Sequence, residues 1–425
     1  MVKLVPRKVA FISSYKPRKC GIATFTGDLI NSLQTAGGQE FEPVVIAMES
    51  GTKLKYDKPV KLRIRKDIKY DYVSAADYIN FSGVDAVSIQ HEFGLFGGEG
   101  GSYLNLLLTR LNKPVITTLH TVLEEPPVEY FNSLIELCEA SEKVIVMNRR
   151  GVKMLQDIYG IPPGKIRLIP HGIPDLPFAD SIYNKRKLGI ERHRTILTFG
   201  LLSKNKGIEV MLNALPTIVR AHPEVLYIVL GATHPEVLRH EGQSYKLKLQ
   251  RMVMELGLQR NVVFHNRFVD GEELFEFLGA ADVYVTPYLN REQLTSGTLA
   301  FAVGAGKAVV STPYWAAQEL LAQGRGKLVQ FADSEQLAHS IVEILSNNSL
   351  FHSMRRRAYE YGRSMTWSKV GQAYQSLFEA NEPSLTIPLR PRLDSSDLEM
   401  PAYNHHGEHF AIPPRVGGQQ VYQSA

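Results

Sequence analysis

Short apolar runs alternate with longer amphipathic stretches along the first 380 residues. Runs at 9–13, 44–48, 86–90, 115–118, 144–147 and 166–169 have the length and composition of strands. Segments 21–33, 103–111 and 130–140 have helical spacing. This alternation predicts a parallel sheet wrapped by helices. Residues 172–194 lose the periodicity and gain turn formers and charge, which predicts a linker. The pattern then restarts, with strands expected at 195–199, 227–230, 262–264, 283–286, 308–311 and 327–329. Residues 367–380 read as a last amphipathic helix, with Val370, Tyr374, Leu377 and Phe378 on one side. Two α/β units of similar size predict a cleft between them, a common location for a small-ligand site. From 382 the pattern gives way to prolines, Asn-His-His and Gly-Gly-Gln-Gln, so 382–425 is expected to be a flexible tail. Nothing in that tail fixes His405, His406 and His409 in a metal-binding geometry.

One strand–turn–helix unit concentrates the chemistry. The strand 195–199 ends at Gly200, Ser203 to Asn205 turn the chain, and Gly207 opens a helix with Ile208, Met211, Leu212 and Leu215 on its apolar side. A loop at a strand's carboxyl end, followed by a helix with free N–H groups, is where open α/β sheets hold phosphate. Lys204 and Lys206 add positive charge at that mouth.

Composition narrows the class. The chain has 425 residues, 44% hydrophobic and 21% charged, as expected of a globular protein with two full cores. Its two cysteines, Cys20 and Cys138, cannot build a disulfide framework or a cysteine-rich zinc site. A reducing compartment is the simplest reading. With no signal-like segment and no apolar stretch near the roughly 20 residues of a membrane span, a cytoplasmic protein is expected. The net charge is +5, and residues 53–69 supply much of the excess, eight Lys and Arg against Asp57 and Asp67. That run fits either a patch for an anionic membrane face or phosphorylated acceptor, or a solvated edge strand guarded by lysines. The edge strand is the preferred reading. No aromatic-plus-basic module accompanies it, which argues against nucleic acid.

Five motifs in order resemble those of the group 1 retaining glycosyltransferases (family 4). They are Arg18-Lys-Cys-Gly-Ile-Ala-Thr-Phe, Thr117-Thr-Leu-His-Thr, Ile169-Pro-His-Gly-Ile, Gly200 to Gly207, and Glu292 to Gly306. The resemblance spans about Val9 to Glu379. It implies a GT-B fold: two Rossmann-like domains facing across a cleft, with 1–171 on the acceptor side and 195–366 binding the nucleotide-sugar. The helix 367–381 is then expected to pack back toward the N-terminal domain. The implied reaction moves a hexose, mannose or glucose being the family's common choices, from a nucleotide diphosphate sugar to a hydroxyl of a saccharide or glycolipid. Cofactors are not implied, and no Asp-x-Asp motif asks for a metal.

The same resemblance assigns residues. His120, Glu292 and Lys206 are the expected catalytic set. Gly21, Gly200, Lys204, Lys206, Arg267, Thr295, Ser296, Gly297 and Thr298 are expected on the donor side. Position after a strand, apart from the resemblance, puts His91, Glu92 and His234 on the acceptor side, and the glycine-rich 94–101 reads as a mobile loop at the cleft mouth or a simple flexible turn. Two positions depart from the family. Leu201 stands where an arginine usually grips phosphate, with Lys204 or Arg267 as possible substitutes. Ala300 stands where the second glutamate of Glu-x7-Glu usually meets the ribose. These departures keep open a decayed GT-B scaffold, and a GT-B phosphorylase or epimerase is a further alternative.

Overall fold

The computed structural model describes residues 7–37, 41–51, 53–269 and 271–380, so the tail expected at 382–425 lies outside the described residues. The N-terminal half builds a parallel sheet from β1 (Arg7–Ser13), β2 (Phe41–Glu49), β3 (Val60–Arg65), β4 (Ala86–His91), β5 (Val115–Leu119), β6 (Lys143–Val146) and β7 (Ile166–Leu168). Their order is β3-β2-β1-β4-β5-β6-β7. A second parallel sheet comes from β8 (Arg194–Phe199), β9 (Val225–Leu230), β10 (Val262–His265), β11 (Val283–Thr286), β12 (Ala308–Ser311) and β13 (Lys327–Leu328), in the order β10-β9-β8-β11-β12-β13. In each sheet the order reverses beside its first strand. Such a switch point opens a crevice at the strands' carboxyl ends. The glycine turn after β1 and the lysine-bearing turn after β8 lie at those two openings.

β3, inside the basic run, is an edge strand. Arg63 pairs with Glu49 at 3.6 Å and Arg65 with Asp71 at 2.8 Å, so part of the run's charge is neutralised within the fold. Lys55, Lys58 and Lys61 stay exposed.

Residues 172–194 are not a free connector. They include the helix Ile182–Leu188, which packs on Gly271–Ala280. Lys185 Nζ lies 2.6 Å from Asp282 Oδ2, both buried, and Asp282 also accepts from Ser181 Oγ and from the Thr195 N–H. The segment's charges hid a packed helix, because a buried pair reads in sequence like surface polarity.

The helix Trp367–Ala380 lies against Gly21–Gly37 of the first half. Val370, Tyr374 and Phe378 join the core around Val9, Phe11 and Leu29, and Tyr374 Oη hydrogen-bonds Thr118 Oγ1 at 2.8 Å. The chain therefore crosses between the two halves twice, once near His171 and once near Trp367.

The glycine-rich segment 94–101 is not a mobile loop. It forms two short 3-10 turns. The Gly97 N–H donates to Tyr72 Oη, and Gly100 and Gly101 are buried. These glycines admit neighbouring backbone and rings rather than supplying flexibility.

Asp282 balances a buried group that includes Lys185, Lys307 and Arg355. Removing one partner of a buried pair leaves an uncompensated charge, a loss of about 3–5 kcal/mol. Asp282→Ala is expected to lower the thermal midpoint by several degrees; an unchanged midpoint would contradict this account of the segment.

Candidate functional site

The turn after β8 is stitched to the loop after β11. The Leu289 N–H donates to Asn205 O at 2.9 Å. Gly207 has φ +61°, and a Cβ there would fall 1.9 Å from Pro287 O, so no other residue fits. Lys206 emerges from this joint 8% exposed. Its Nζ sits 4.1 Å above the Tyr288 ring, and among the described residues no carboxylate pairs with it. Burial pushes its pKa down to about 8.

Tyr288 links the lysine to the opposite wall. Its ring stacks on Tyr314 at 5.1 Å, and its hydroxyl meets Thr298 Oγ1 at 3.1 Å. The Thr298 methyl would lie 3.3 Å from a Cβ on Gly200. Thr298 is in the first turn of the helix Gly297–Gly304, whose N-cap is Ser296. Lys206, Gly200 and this helix start thus surround one mouth, where a cation and unpaired N–H groups suit a phosphate. Thr295 Oγ1 is buried with no partner, and Ala300 is fully covered.

The other expected donor-side residues are placed differently. Lys204 is exposed and pairs with Glu241 at 2.9 Å. Arg267 is exposed and grips Glu273 with both terminal nitrogens. Each candidate for the charge missing at Leu201 already has a carboxylate. Glu292 is exposed on the loop after β11, its N–H held by Asn290 Oδ1. Gly21 opens the helix Gly21–Gly37, with Cys20 Sγ accepting from the Ala23 N–H.

His120 follows β5, half-buried, with Nε2 3.0 Å from Gln90 Oε1. The amide oxygen only accepts, so Nε2 carries the proton and Nδ1 the lone pair. Burial, with smaller effects from His171 and His91, lowers its pKa to about 3. It is neutral at physiological pH and can position a hydroxyl but brings no positive charge. Its ring meets the edge of Phe25 at 5.0 Å, and Phe25 also touches His171 and Trp367. Sequence reasoning gave Phe25 no role, although it closes the motif that carries Gly21.

The acceptor-side trio does not gather at one surface. His91 is buried, stacked on Phe96 at 5.6 Å and edge-on to Phe93. Burial lowers its pKa to about 3. Glu92 is buried and accepts from Thr121 Oγ1 at 2.6 Å, which ties it to the segment after His120. The His234 N–H donates to Leu202 O, so His234 sits beside the lysine-bearing turn. A cavity of about 240 Å³ lies between the halves, lined among others by Asn148, His171, Leu294, Thr295, Ser296 and Tyr361. It touches the strip before Gly297 but does not reach Gly200–Gly207. The buried cation lies at the lysine-bearing mouth, outside this cavity.

Residues 180–365 match the family model of glycosyl transferases group 1, and residues 20–175 match that of glycosyltransferase family 4. The chain belongs to the group 1 glycosyltransferases. It is 29% identical to a phosphatidyl-myo-inositol mannosyltransferase of Mycolicibacterium smegmatis, over 50% of this chain and 51% of that protein. It is 24% identical to a mannosylfructose-phosphate synthase of Agrobacterium fabrum, over 61% of this chain and 56% of that protein. The match thus spans about half the length of these curated relatives. Anabaena HepE, solved with UDP, superposes with a TM-score of 0.68 at 16% identity, covering 88% of this chain and all of that one. Sucrose-phosphate synthase of Thermosynechococcus elongatus gives 0.70 at 18%, again covering 88% and 100%. These likenesses establish the GT-B fold. Within this glycosyltransferase, the two matched models fall on the two sheets.

The depressed pKa of Lys206 has a sign that can be checked. Below about pH 8 the lysine is charged both folded and unfolded, so the fold bears the full desolvation penalty. Between about pH 8 and the ordinary lysine range only the unfolded chain keeps the proton, and the penalty fades. Lys206→Met is therefore expected to raise the thermal midpoint by a few degrees at pH 7, with the gain shrinking toward pH 10. A destabilised variant, or a gain that does not vary with pH, would contradict the assignment.

Proposed function

We propose that this chain is a retaining hexosyltransferase that uses a nucleotide diphosphate sugar. Mannose and glucose are the favoured sugars, and the acceptor is a hydroxyl of a saccharide or glycolipid. One observation carries the reading: Lys206 is buried, with no carboxylate beside it among the described residues, at the mouth shared by Gly200 and the helix start at Gly297. A cation kept out of water and unpaired is costly unless a ligand anion completes it. The relatives' names support a sugar donor, since two are mannosyl enzymes and HepE was also solved with UDP-glucose.

In the proposed reaction the bond from the anomeric carbon to the diphosphate oxygen breaks. The acceptor oxygen bonds to the same face of that carbon. The acceptor's proton passes to the departing phosphate oxygen, so no strong protein base is needed. Lys206 and the N–H groups around Gly297 and Thr298 stabilise the charge that develops on the leaving diphosphate. This supplies the electrophile without assigning a metal. Lys204 and Arg267, held by Glu241 and Glu273, are set outside the phosphate grip. Neutral His120 orients the sugar, and Glu292 reaches it from the loop after β11. Thr295, Ser296 and the glycine turn at Gly21 complete the donor side. His234 and Glu92, the latter through Thr121, are assigned to shaping the acceptor side. His91 acts only through the packing beneath them.

Among the described residues no helix is long and apolar enough to cross a membrane. A cytoplasmic enzyme touching the inner membrane face through residues 53–69 fits the lysines left exposed around β3 and the lipid in one relative's name. Leu201 and Ala300 favour a second reading, a GT-B scaffold that has lost catalysis.

Thermal-shift measurements with UDP, GDP and ADP, alone and as sugars, separate these readings. One nucleoside diphosphate should raise the wild-type midpoint by several degrees and that of Lys206→Met by much less, and its sugar should support transfer in a single-turnover assay. Stabilisation without transfer or hydrolysis favours the scaffold; no response to any of them removes the donor reading. Cosedimentation with anionic but not neutral vesicles is expected for the membrane contact, and equal partition would refute it.

A further inference from the structure

The strip Leu294–Gly297 belongs to the second half of the chain but is shaped by the first. Asn148 follows β6 and is buried. Its Oδ1 accepts from the Gly151 N–H at 2.8 Å, capping the helix Arg149–Asp157. A single amide orientation then turns Nδ2 toward Leu294 O, to which it donates. One buried side chain thus caps a helix of the N-terminal domain and holds a carbonyl of the donor strip, 146 residues away.

Two further contacts restrict the same strip. Leu294 packs inside the N-terminal core, against Val146 and Gly151. A Cβ on Gly151 would lie 3.3 Å from Leu294 Cδ2 and 3.2 Å from Val146 Cβ, so a larger residue would press on the leucine. At the other end, a Cβ on Gly297 would lie 2.8 Å from His171 Nε2. His171 Nδ1 is 2.7 Å from Gly172 O and therefore carries the proton, while burial lowers the ring's pKa to about 4. The ring is neutral and presents its bare Nε2 to the strip. Asn148, Gly151 and His171 fix both ends of four residues whose backbone leads into the helix start at the phosphate mouth.

We propose that Asn148 is a positioning residue for donor binding. Through Leu294 O it sets the strip Leu294–Gly297, with Gly151 and His171 as stops at either end, so donor affinity is controlled from the opposite domain. The proposal rests on the donor reading given above. It predicts that loss of this one bond alters donor binding while leaving acceptor binding and the helix cap intact.

Asn148→Ser isolates the bond. Serine still caps the helix but is too short to reach Leu294. One buried hydrogen bond corresponds to about a five- to tenfold change in affinity. The variant should keep its thermal midpoint within a few degrees and exchange the amide hydrogens of 294–298 faster than wild type. It should bind the stabilising nucleoside diphosphate about five- to tenfold more weakly and raise the donor KM similarly, with the acceptor KM within twofold. Gly151→Ala, which pushes on the strip from the other side, should shift the donor KM in the same direction, and the two changes together should not be additive. Unchanged exchange at 294–298, or equal losses for donor and acceptor, would overturn the proposal. Faster exchange in Asn148→Ser, together with a wild type that binds no nucleoside diphosphate, would refute the donor reading while supporting Asn148's hold on the strip.

Discussion

An ammonium group held nearly out of water, with no carboxylate beside it among the described residues, is the constraint around which this molecule is organised. Burial alone disfavours a charged lysine, and the Tyr288 face below Lys206 returns only part of what hydration would give. The turn that carries Lys206 must therefore be held by other means. Leu289 ties Asn205, Pro287 excludes any side chain from Gly207, and β8 lies at the centre of its sheet. In the proposed reaction the diphosphate is the anion that would compensate this charge. This is electrostatic preorganisation in its simplest form: a charge placed before the substrate binds and unable to relax away.

The two halves are joined by more than the chain crossings. Phe25 lies against His120, His171 and Trp367. Trp315 and Leu294 of the second half are counted in the core of the first, and the Arg150 guanidinium lies 4.3 Å above the Trp315 ring. If the strip Leu294–Gly297 binds the donor as proposed, its anchor in the opposite domain links nucleotide binding to domain arrangement.

Much of the fold was legible in the residues. Val- and Ile-rich runs marked strands because a central parallel strand has two faces to bury. The lysine-bearing turn was legible because Gly200 and Gly207 punctuate it. The missing parts share a cause. The helix Ile182–Leu188 was masked by its lysines, of which Lys185 pairs inward with Asp282 and Lys187 pairs at the surface with Glu276. The glycines of 94–101 suggested motion, whereas Gly97 and Gly98 serve close packing around Tyr72 and Tyr103, and Gly100 lies against Glu129. Lys204 and Arg267 looked available because sequence does not show that Glu241 and Glu273 face them. Asn148 gave no signal at all: its role depends on a partner 146 residues away. Local pattern reports on periodicity and turns, while pairings across domains appear only in three dimensions.

The most direct test of the central claim is a proton count. Titration calorimetry with the stabilising nucleoside diphosphate at pH 8, in buffers of different ionisation enthalpy, measures protons taken up on binding. With Lys206 half-protonated when free, near pH 8, and fully charged against the diphosphate, about half a proton should be taken up by wild type. Lys206→Met should show almost none. Equal uptake by the two proteins would mean that the buried lysine is not the cation that meets the phosphate.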